Sequence, residues 1–190
     1  MNDLTGKCLL ATPQLANSNF KEAVIFIVED NTDGAMGIVI NKISDCQTKD
    51  FFKSLKLKVS SLKSDKKKPT LIHCGGPVQQ EHGFIIHSND APEKWQTTIH
   101  QGSNVSVTVS KDIMKSIANG TGPKDHFISL GCSGWEPGQL QEEINDNLWL
   151  LAPFDPEITF NTPIKSRYQK TAQSIGIKTI SLLTPEVGHA

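Results

Sequence analysis

The sequence has almost no net charge, no long hydrophobic run and no secretory signal. Its 190 residues give a formal charge of -1 and a sequence pI near 6.6, so no overall positive field gathers phosphate groups. The longest strongly apolar run, 23–28, covers about a third of the roughly 20 residues that cross a bilayer. The first residues lack a basic segment followed by an apolar stretch. We therefore expect a cytoplasmic protein with no membrane span.

Closely spaced metal ligands are also missing. The four cysteines, Cys8, Cys46, Cys74 and Cys132, lie far apart, and the sequence contains no Cys-x-x-Cys or His-x-x-x-His pair. Structural zinc sites usually use such pairs, so the adjacent His73 and Cys74 do not indicate one. A chain of this length needs no disulfides to fold. We expect reduced thiols, no bound metal and no cofactor.

The amino-acid composition is that of an ordinary globular protein. Hydrophobic residues make up 37% of the chain and charged residues 21%, close to average usage and far from the composition of disordered chains. No repeat, low-complexity linker or composition break divides the sequence. We expect one domain over residues 1–190.

Short apolar and β-branched runs alternate with clusters of turn residues. They predict strands over 7–11, 23–29, 35–41, 70–73, 83–87, 104–109, 127–130 and 148–151. Periodicity predicts helices over 50–57, 111–119, 139–147 and 163–175, with Ser110 and Thr162 as caps of the second and fourth, and a loop over 58–68. Strands and helices do not alternate regularly, so an α+β domain of mostly antiparallel strands fits better than a doubly wound sheet.

The segment 131–135, Gly-Cys-Ser-Gly-Trp, lies between a predicted strand and a predicted helix, as a nucleophile elbow does. The elbow needs a glycine two residues after its serine, and this chain has tryptophan there. A thiol enzyme using Cys132 with His73, His87 or His126 as base stays open as an alternative. We favour a tight turn in which the cysteine is a small buried residue.

Two further patterns are also better explained by structure than by chemistry. Gly75-Gly76-Pro77 lacks the Lys-Ser/Thr of a P-loop, so a sharp turn after a strand is the preferred interpretation. Glu142, Glu143 and Asp146 form an acidic helix surface that could do acid–base chemistry only if burial separated their pKa values. We expect these three carboxylates to be solvated.

Lysines are concentrated in one stretch of the sequence. Seven lie between Lys53 and Lys68, but only Phe51 and Phe52 accompany them. A nucleic-acid surface would usually interleave aromatic residues for stacking, whereas these two are expected to dock a short helix on the core. Clustered lysines beside a loop usually form a solvated face, so we do not expect sequence-specific DNA binding.

Several blocks resemble the bacterial YqgE/AlgH family over nearly the whole chain. They are Glu29 with 34–42, then 75–78, then 83–87, and a later block with Gly134-Trp135, Gly138-Gln139-Leu140, Glu143-Ile144, Asn147 and Trp149-Leu150. The resemblance implies an α+β fold with a mostly antiparallel, partly barrel-like sheet surrounded by helices. The family is treated as uncharacterised, and its description as a candidate transcriptional regulator reflects genetic association rather than a recognised DNA-binding motif.

The chain departs from the family pattern at three places. Asn17-Ser18 stands where Asp-Pro is common, Glu22 where Arg is common, and Cys132 where Tyr is common. A site that needs that arginine or tyrosine is therefore not expected in this protein.

Our first functional hypothesis is a cytoplasmic binding or regulatory protein with a protein or small-molecule partner. The alternatives are a small hydrolase or thiol-dependent enzyme using Cys132, and a DNA-binding regulator. Binding and catalytic residues often lie on turns at strand ends, because the rigid sheet holds these turns in position. We therefore expect the following residues to converge on a ligand or partner surface: Asn41, Gly75, Gly76, Pro77, Trp135, Gly138 and Gln139.

Overall fold

The computed structural model describes residues 3–57, 71–90 and 94–178, and the chain groups into two compact units. The first unit draws on both ends of the chain, Met1–Gly37 and Gly134–Ala190, and the second is Ile38–Ser133. The expectation of one domain over 1–190 stays a prediction. The predicted loop 58–68 and the first residue of the predicted strand 70–73 lie outside the described residues.

Strands and helices in the described residues follow one another without regular alternation. The strands are β1 (Lys7–Ala11), β2 (Val24–Asn31), β3 (Gly34–Val39), β4 (Ile72–Cys74), β5 (Val78–His87), β6 (Thr98–Gln101), β7 (Ser106–Thr108), β8 (His126–Trp135) and β9 (Trp149–Pro153). The α-helices are α1 (Thr48–Ser54), α2 (Lys111–Asn119), α3 (Gln139–Asn145) and α4 (Ile164–Ser174).

In the first unit, β1 is the central strand. It pairs antiparallel with β2 on one side and with β9 on the other, and its residues 8–11 are buried. Helix α4 packs against these strands, and the Tyr168 hydroxyl donates a hydrogen bond to the Ala11 carbonyl at 2.5 Å. Residues 8–11 of β1 are therefore covered by β2, β9 and α4, and they form the centre of the core of this unit.

In the second unit, β5 pairs antiparallel with both β7 and β8, while β4 pairs parallel with β8. Helices α1 and α2 supply apolar side chains to a core formed with these strands. That core contains Phe51, Phe52, Ile72, Ile85, Ile113, Met114, Ile117, Ala118 and Ile128. Every third or fourth residue of α2 is therefore buried, which is the pattern of an amphipathic helix on a sheet.

The predicted fold class, α+β with mostly antiparallel strands, is confirmed. Helix α2 has the predicted bounds, and α4 lies within the predicted range 163–175. Ser110 lies at the predicted N-cap position of α2, although its hydroxyl donates to the Asp112 carboxylate rather than to a backbone amide of the helix. The Thr162 prediction is wrong, because the N-cap position of α4 is Pro163. Among the described residues, no helix is long and apolar enough to cross a membrane.

Two strands correct the sequence interpretation. Strand β8 continues to Trp135, so the segment predicted as a tight turn is the end of a ten-residue strand. Gly131 adopts φ +75° within it, which explains the turn-like composition. Strand β6 is absent from the sequence prediction, because its residues Thr98–Gln101 are mostly exposed and carry no apolar run.

Candidate functional site

A hydrogen-bond network around one carboxylate organises the segment between β8 and β9 in the first unit. Glu143 Oε2 accepts a hydrogen bond from the indole Nε1 of Trp135 at 2.8 Å and another from that of Trp149 at 2.7 Å. Glu143 Oε1 accepts a third from Gln139 Nε2 at 2.8 Å. We call these four residues the tryptophan clasp. Hydrogen bonds to an ionised acceptor are stronger than neutral ones, so the clasp fixes α3 against its flanking strands.

Close packing surrounds the clasp. Trp135 and Trp149 are 7% and 2% exposed, and their ring centroids lie 6.2 Å apart at an interplanar angle of 80°. Phe20 packs edge-on against Trp149 at 5.6 Å. A Cβ at Gly34 would lie 2.3 Å from the Trp135 carbonyl oxygen, so only glycine fits there. Trp135 therefore fills core volume in addition to its bond with Glu143.

The turn that follows Trp135 is exposed but held in place. Glu136 and Pro137 are exposed and Gly138 is half-buried. Gly138 adopts φ +83°, a conformation that favours glycine, although a Cβ there would meet nothing within 4 Å. The Glu136 amide donates to Gln139 Oε1 at 2.9 Å, so Gln139 connects the turn to the clasp through both ends of its amide. The result is a rigid, solvent-facing turn, which we call the 136–139 turn.

Glu143 is the site residue that the sequence pattern does not reveal. The sequence predicts it to be solvated with Glu142, yet it is half-buried and bound by three donors, while Glu142 is exposed. The available signal is its spacing, because Gln139 and Glu143 are four apart and share one face of a helix. Nothing local in the sequence indicates that two indoles approach the same oxygen.

In the second unit, Gly75 and Gly76 form a tightly packed strand exit. The Gly75 amide donates to the Leu130 carbonyl at 2.7 Å, and the Gly75 carbonyl accepts from Val39 at 2.8 Å. A Cβ at Gly75 would lie 2.2 Å from the Gly131 carbonyl oxygen, and one at Gly76, where φ is +152°, would lie 2.2 Å from that of Cys132. Backbone packing therefore requires both glycines, and the Gly75 amide is committed to the strand rather than to a ligand.

An irregular, exposed segment follows this exit, and the sequence pattern does not single it out. Between Val78 and Gly83 the register of β5 against β8 shifts, and residues 77–82 are exposed. Val78 is 44% exposed and Gln79 adopts φ +51°, a conformation that non-glycine residues seldom adopt. We call residues 77–82 the 77–82 bulge. Bulges of this kind commonly re-aim side chains at binding or catalytic sites.

The geometry around Cys132 does not suit a thiol nucleophile. The residue is 3% exposed, and burial raises the pKa of its thiol, which lowers the thiolate fraction near neutral pH. His126 lies six residues away on the same strand, and His87 pairs with it in register. At about 3.3 Å per residue that separation is roughly 20 Å, far beyond hydrogen-bond reach.

His73 is also poorly placed to be the base for this thiol. It pairs in register with Ser129 and packs against the Phe127 ring at 4.2 Å. Ser129 is three residues from Cys132, or roughly 10 Å along the strand. Within the described residues of the second unit, none of His73, His87 and His126 is therefore close enough to Cys132 to act as its base.

The predicted surface residues are distributed over both units. Trp135, Gly138 and Gln139 belong to the first, where the clasp and the 136–139 turn bring them together. Asn41 and 75–77 belong to the second, where Asn41 is half-buried and Pro77 is exposed. Their convergence on one surface stays a prediction. Across the described residues, no group of three or more His, Cys, Asp or Glu side chains is arranged to hold a metal ion.

These elements define an α+β protein of mostly antiparallel strands with a clasp of two tryptophans around one glutamate. The chain matches the AlgH-like family model over residues 8–180 and belongs to that family. A UPF0301 protein of Stutzerimonas stutzeri is 39% identical over 187 residues, covering 96% of this chain and 93% of that one. A UPF0301 protein of Idiomarina loihiensis is 37% identical, with both chains covered completely.

Two solved structures resemble this fold. The solution structure of the AlgH protein from Pseudomonas aeruginosa has a TM-score of 0.76 and 39% sequence identity, covering 100% of this chain and 97% of that one. A crystal structure of a Corynebacterium diphtheriae protein has a TM-score of 0.71 at 19% identity, covering 95% and 91%. The family is thus established and its activity is uncharacterised.

Proposed function

We propose that this chain is a cytoplasmic binding protein that acts by recognising a partner, with the 136–139 turn as part of its contact surface. The observation that carries the proposal is the tryptophan clasp, in which three strong hydrogen bonds fix a short exposed turn. A contact surface that is rigid before binding loses less conformational entropy when the partner arrives. A regulatory role, including one linked to transcription, would then operate through this partner.

A second part of the proposed surface is the 77–82 bulge, together with the neighbouring Asn41, Gly75 and Gly76 of the same unit. Val78 supports it, because this apolar side chain is 44% exposed on a segment that departs from regular pairing. A single exposed apolar residue is common on protein surfaces, so this part of the proposal rests on the bulge, a feature that commonly re-aims side chains at functional sites. Pro77 is rigid and lies at the start of this segment.

The test is capture of partners from native lysate by the immobilised full chain, compared across matched variants. We expect Glu136→Lys to reduce recovery of one specific protein, because the exposed side chain changes while the hydrogen bond from its backbone amide to Gln139 is kept. Asp45→Lys, which reverses an exposed acid in the second unit, is the control. Equal capture by both variants would contradict a role for the turn.

A matched pair tests the 77–82 bulge separately. Val78→Ser removes an apolar side chain that is 44% exposed, and Ile99→Ser removes one on β6 that is 39% exposed. We expect only the first to weaken capture. Loss of the same partner in Val78→Ser and Glu136→Lys would support one shared surface, whereas different partners would contradict the predicted convergence.

The thiol enzyme is the second candidate, and the buried Cys132 without an adjacent histidine counts against it. A screen of ester and thioester substrates with the wild-type chain and Cys132→Ser is decisive. Turnover that the serine variant loses while remaining folded would replace the binding proposal with the enzyme.

A further inference from the structure

A chain of side-chain hydrogen bonds runs from a buried imidazole to an exposed hydroxyl in the second unit. His87 Nδ1 lies 2.9 Å from the Ser88 carbonyl oxygen, and His87 Nε2 lies 3.0 Å from Thr108 Oγ1. Thr108 Oγ1 lies 3.0 Å from Oγ1 of Thr98, its partner in register on β6. His87 and Thr108 are 4% and 0% exposed, whereas Thr98 is exposed. The chain therefore connects the interior of this unit with its surface.

The direction of these hydrogen bonds follows from the chemistry of the groups. A carbonyl oxygen only accepts, so Nδ1 of the neutral His87 ring carries the proton and Nε2 is an acceptor. Thr108 must then donate its hydroxyl proton to Nε2, and Thr98 must donate its own to Thr108. In this state the Thr98 oxygen is left as an acceptor for water or a ligand.

A proton on Nε2 reverses this order. An imidazolium donates through both nitrogens, so Thr108 Oγ1 becomes the acceptor and its hydroxyl proton turns towards Thr98. Thr98 accepts that bond and donates its own proton outward to water. The heavy atoms keep their positions, because only the hydroxyl protons rotate. Since Thr108 is buried, the charged ring depends on Thr98 to accept the displaced Thr108 proton.

Charged and titratable groups surround His87 on several sides. Among the described residues they are His126 from β8, Asp90 from the segment after β5, and Lys124 and Asp125 from the segment before β8. Strand β7 and the Trp95 ring, which also pack near His87, carry no titratable group. Burial lowers the pKa of His87 below 6.5, and its bond to the Ser88 carbonyl raises it. Repulsion from His126 lowers this pKa as well, while Asp90 raises it.

We propose that these three side chains, His87, Thr108 and Thr98, form a pH-sensitive switch, which we call the His87 relay. Acid reverses its hydrogen bonds and changes the Thr98 hydroxyl from an acceptor into a donor. Within the described residues, β6 pairs only with β7 and forms an edge of the sheet. Edge strands are accessible to added hydrogen-bonding partners. The relay therefore reports the charge of a buried histidine at a surface where another molecule can bind.

The His87 relay goes beyond the proposed function and does not depend on it. The 136–139 turn belongs to the first unit, whereas all three residues of the relay belong to the second. Histidine is the side chain whose ordinary pKa allows such a change near physiological pH.

The first test is NMR of the imidazole nitrogens of the 15N-labelled full chain, from pH 8 to the onset of acid unfolding. We expect Nδ1 of His87 to be the protonated nitrogen at pH 8, and Nε2 to gain a proton in the folded protein at a pH below 6.5. Ring signals separate His87 from His100, which lies on β6 itself. A neutral His87 ring with its proton on Nε2, or a ring that stays neutral until the protein unfolds, would overturn the inference.

The second test removes the exposed end of the relay with Thr98→Val. The neutral state keeps the bond from Thr108 to His87, but in the charged state the buried Thr108 proton loses its acceptor. An unsatisfied buried donor is costly, so we expect the proton affinity of His87 to fall about tenfold, a decrease of about 1 pH unit in its midpoint. Thr98→Ser keeps the hydroxyl and should keep the wild-type midpoint.

Thr97→Val is the matched control, because it changes an exposed threonine next to the relay. An unchanged midpoint in Thr98→Val, or an equal decrease in Thr97→Val, would refute the relay, since a purely structural role of Thr98 does not alter the titration of His87. If Thr98→Val does not fold, Thr108→Val takes its place. That variant removes the acceptor of the charged ring, so it is expected to lower the midpoint in the same direction, and an unchanged midpoint again refutes the inference.

Discussion

At the scale of single residues, the Glu143 carboxylate holds the first unit together around the 136–139 turn. Replacing it by glutamine keeps the shape but turns one acceptor oxygen into a donor that faces other donors. Bonds to a charged acceptor contribute more than neutral ones, so we expect Glu143→Gln to lower the free energy of unfolding by about 2 kcal/mol. Urea unfolding of the wild type and variant measures this difference.

The adjacent residue provides the control. Glu142 is exposed, and surface substitutions of this kind usually change stability by less than about 0.5 kcal/mol. Equal effects of Glu142→Gln and Glu143→Gln would show that the clasp contributes nothing beyond general helix charge.

Trp135 gives the second residue-scale prediction. Because it is 7% exposed and packs against Trp149, Trp135→Ala is expected to lower the free energy of unfolding by about 3 to 5 kcal/mol, the usual cost of removing a buried aromatic. The same urea experiment measures it. A folded variant of near wild-type stability that loses partner capture would instead make Trp135 a contact residue.

The cysteines allow a further test. Burial raises the pKa of Cys8 to about 12, with the Asp155 carboxylate adding to the effect, and burial also raises the pKa of Cys132. The thiolate is the reactive form, so we expect iodoacetamide near neutral pH to label the half-buried Cys46 and Cys74 before either of these. Peptide mapping by mass spectrometry gives the order. Fastest labelling of Cys132 would revive the thiol enzyme.

At the scale of elements, sequence patterns predict those helices and strands whose bounds depend on interactions between residues close in the sequence. Helix α2 is predicted to its end residues, because four buried positions on one face and Gly120 beyond them are local signals. The pattern ends strand β8 before Gly131, because a glycine with positive φ also occurs in turns. The clasp cannot be predicted in this way, since it depends on two indoles that reach one carboxylate from residues 135 and 149.

Two histidines pair across β5 and β8 in the second unit. His87 donates through Nδ1 to the Ser88 carbonyl at 2.9 Å, so its neutral Nε2 accepts from Thr108 at 3.0 Å. Desolvation lowers the pKa of both His87 and His126, and the repulsion from His126 lowers the pKa of His87 further, while Asp90 opposes the decrease for both. The folded state therefore favours two neutral rings.

Stability should accordingly fall as the solution becomes more acidic. Because the folded pKa lies below the unfolded value of 6.5, the unfolded chain binds protons first, and stability present above that pH is lost as pH falls through it. We expect urea midpoints to decrease from pH 8 to pH 5 and His87→Gln to flatten this decrease. Asp90 and Asp112, whose pKa values are lowered from 3.8, act only at more acidic pH. An unchanged slope in His87→Gln would contradict this account.

At the scale of the whole molecule, charge decides between a protein partner and DNA. A net charge of -1 gives no general attraction to phosphates. Phe51 and Phe52, the aromatics nearest the lysine cluster, are buried in the core of the second unit and cannot stack on bases.

We therefore predict no sequence-specific DNA complex at physiological salt. The measurement is a mobility-shift titration with promoter fragments against a scrambled duplex at several salt concentrations, because phosphate contacts weaken steeply as salt is added. Weak binding that is equal for both duplexes fits scattered lysines and leaves the prediction intact. The contrary result is a tight complex with one promoter that Lys66→Gln, Lys67→Gln and Lys68→Gln together abolish. These three lysines lie outside the described residues, so the expectation for them rests on the charge pattern of the sequence.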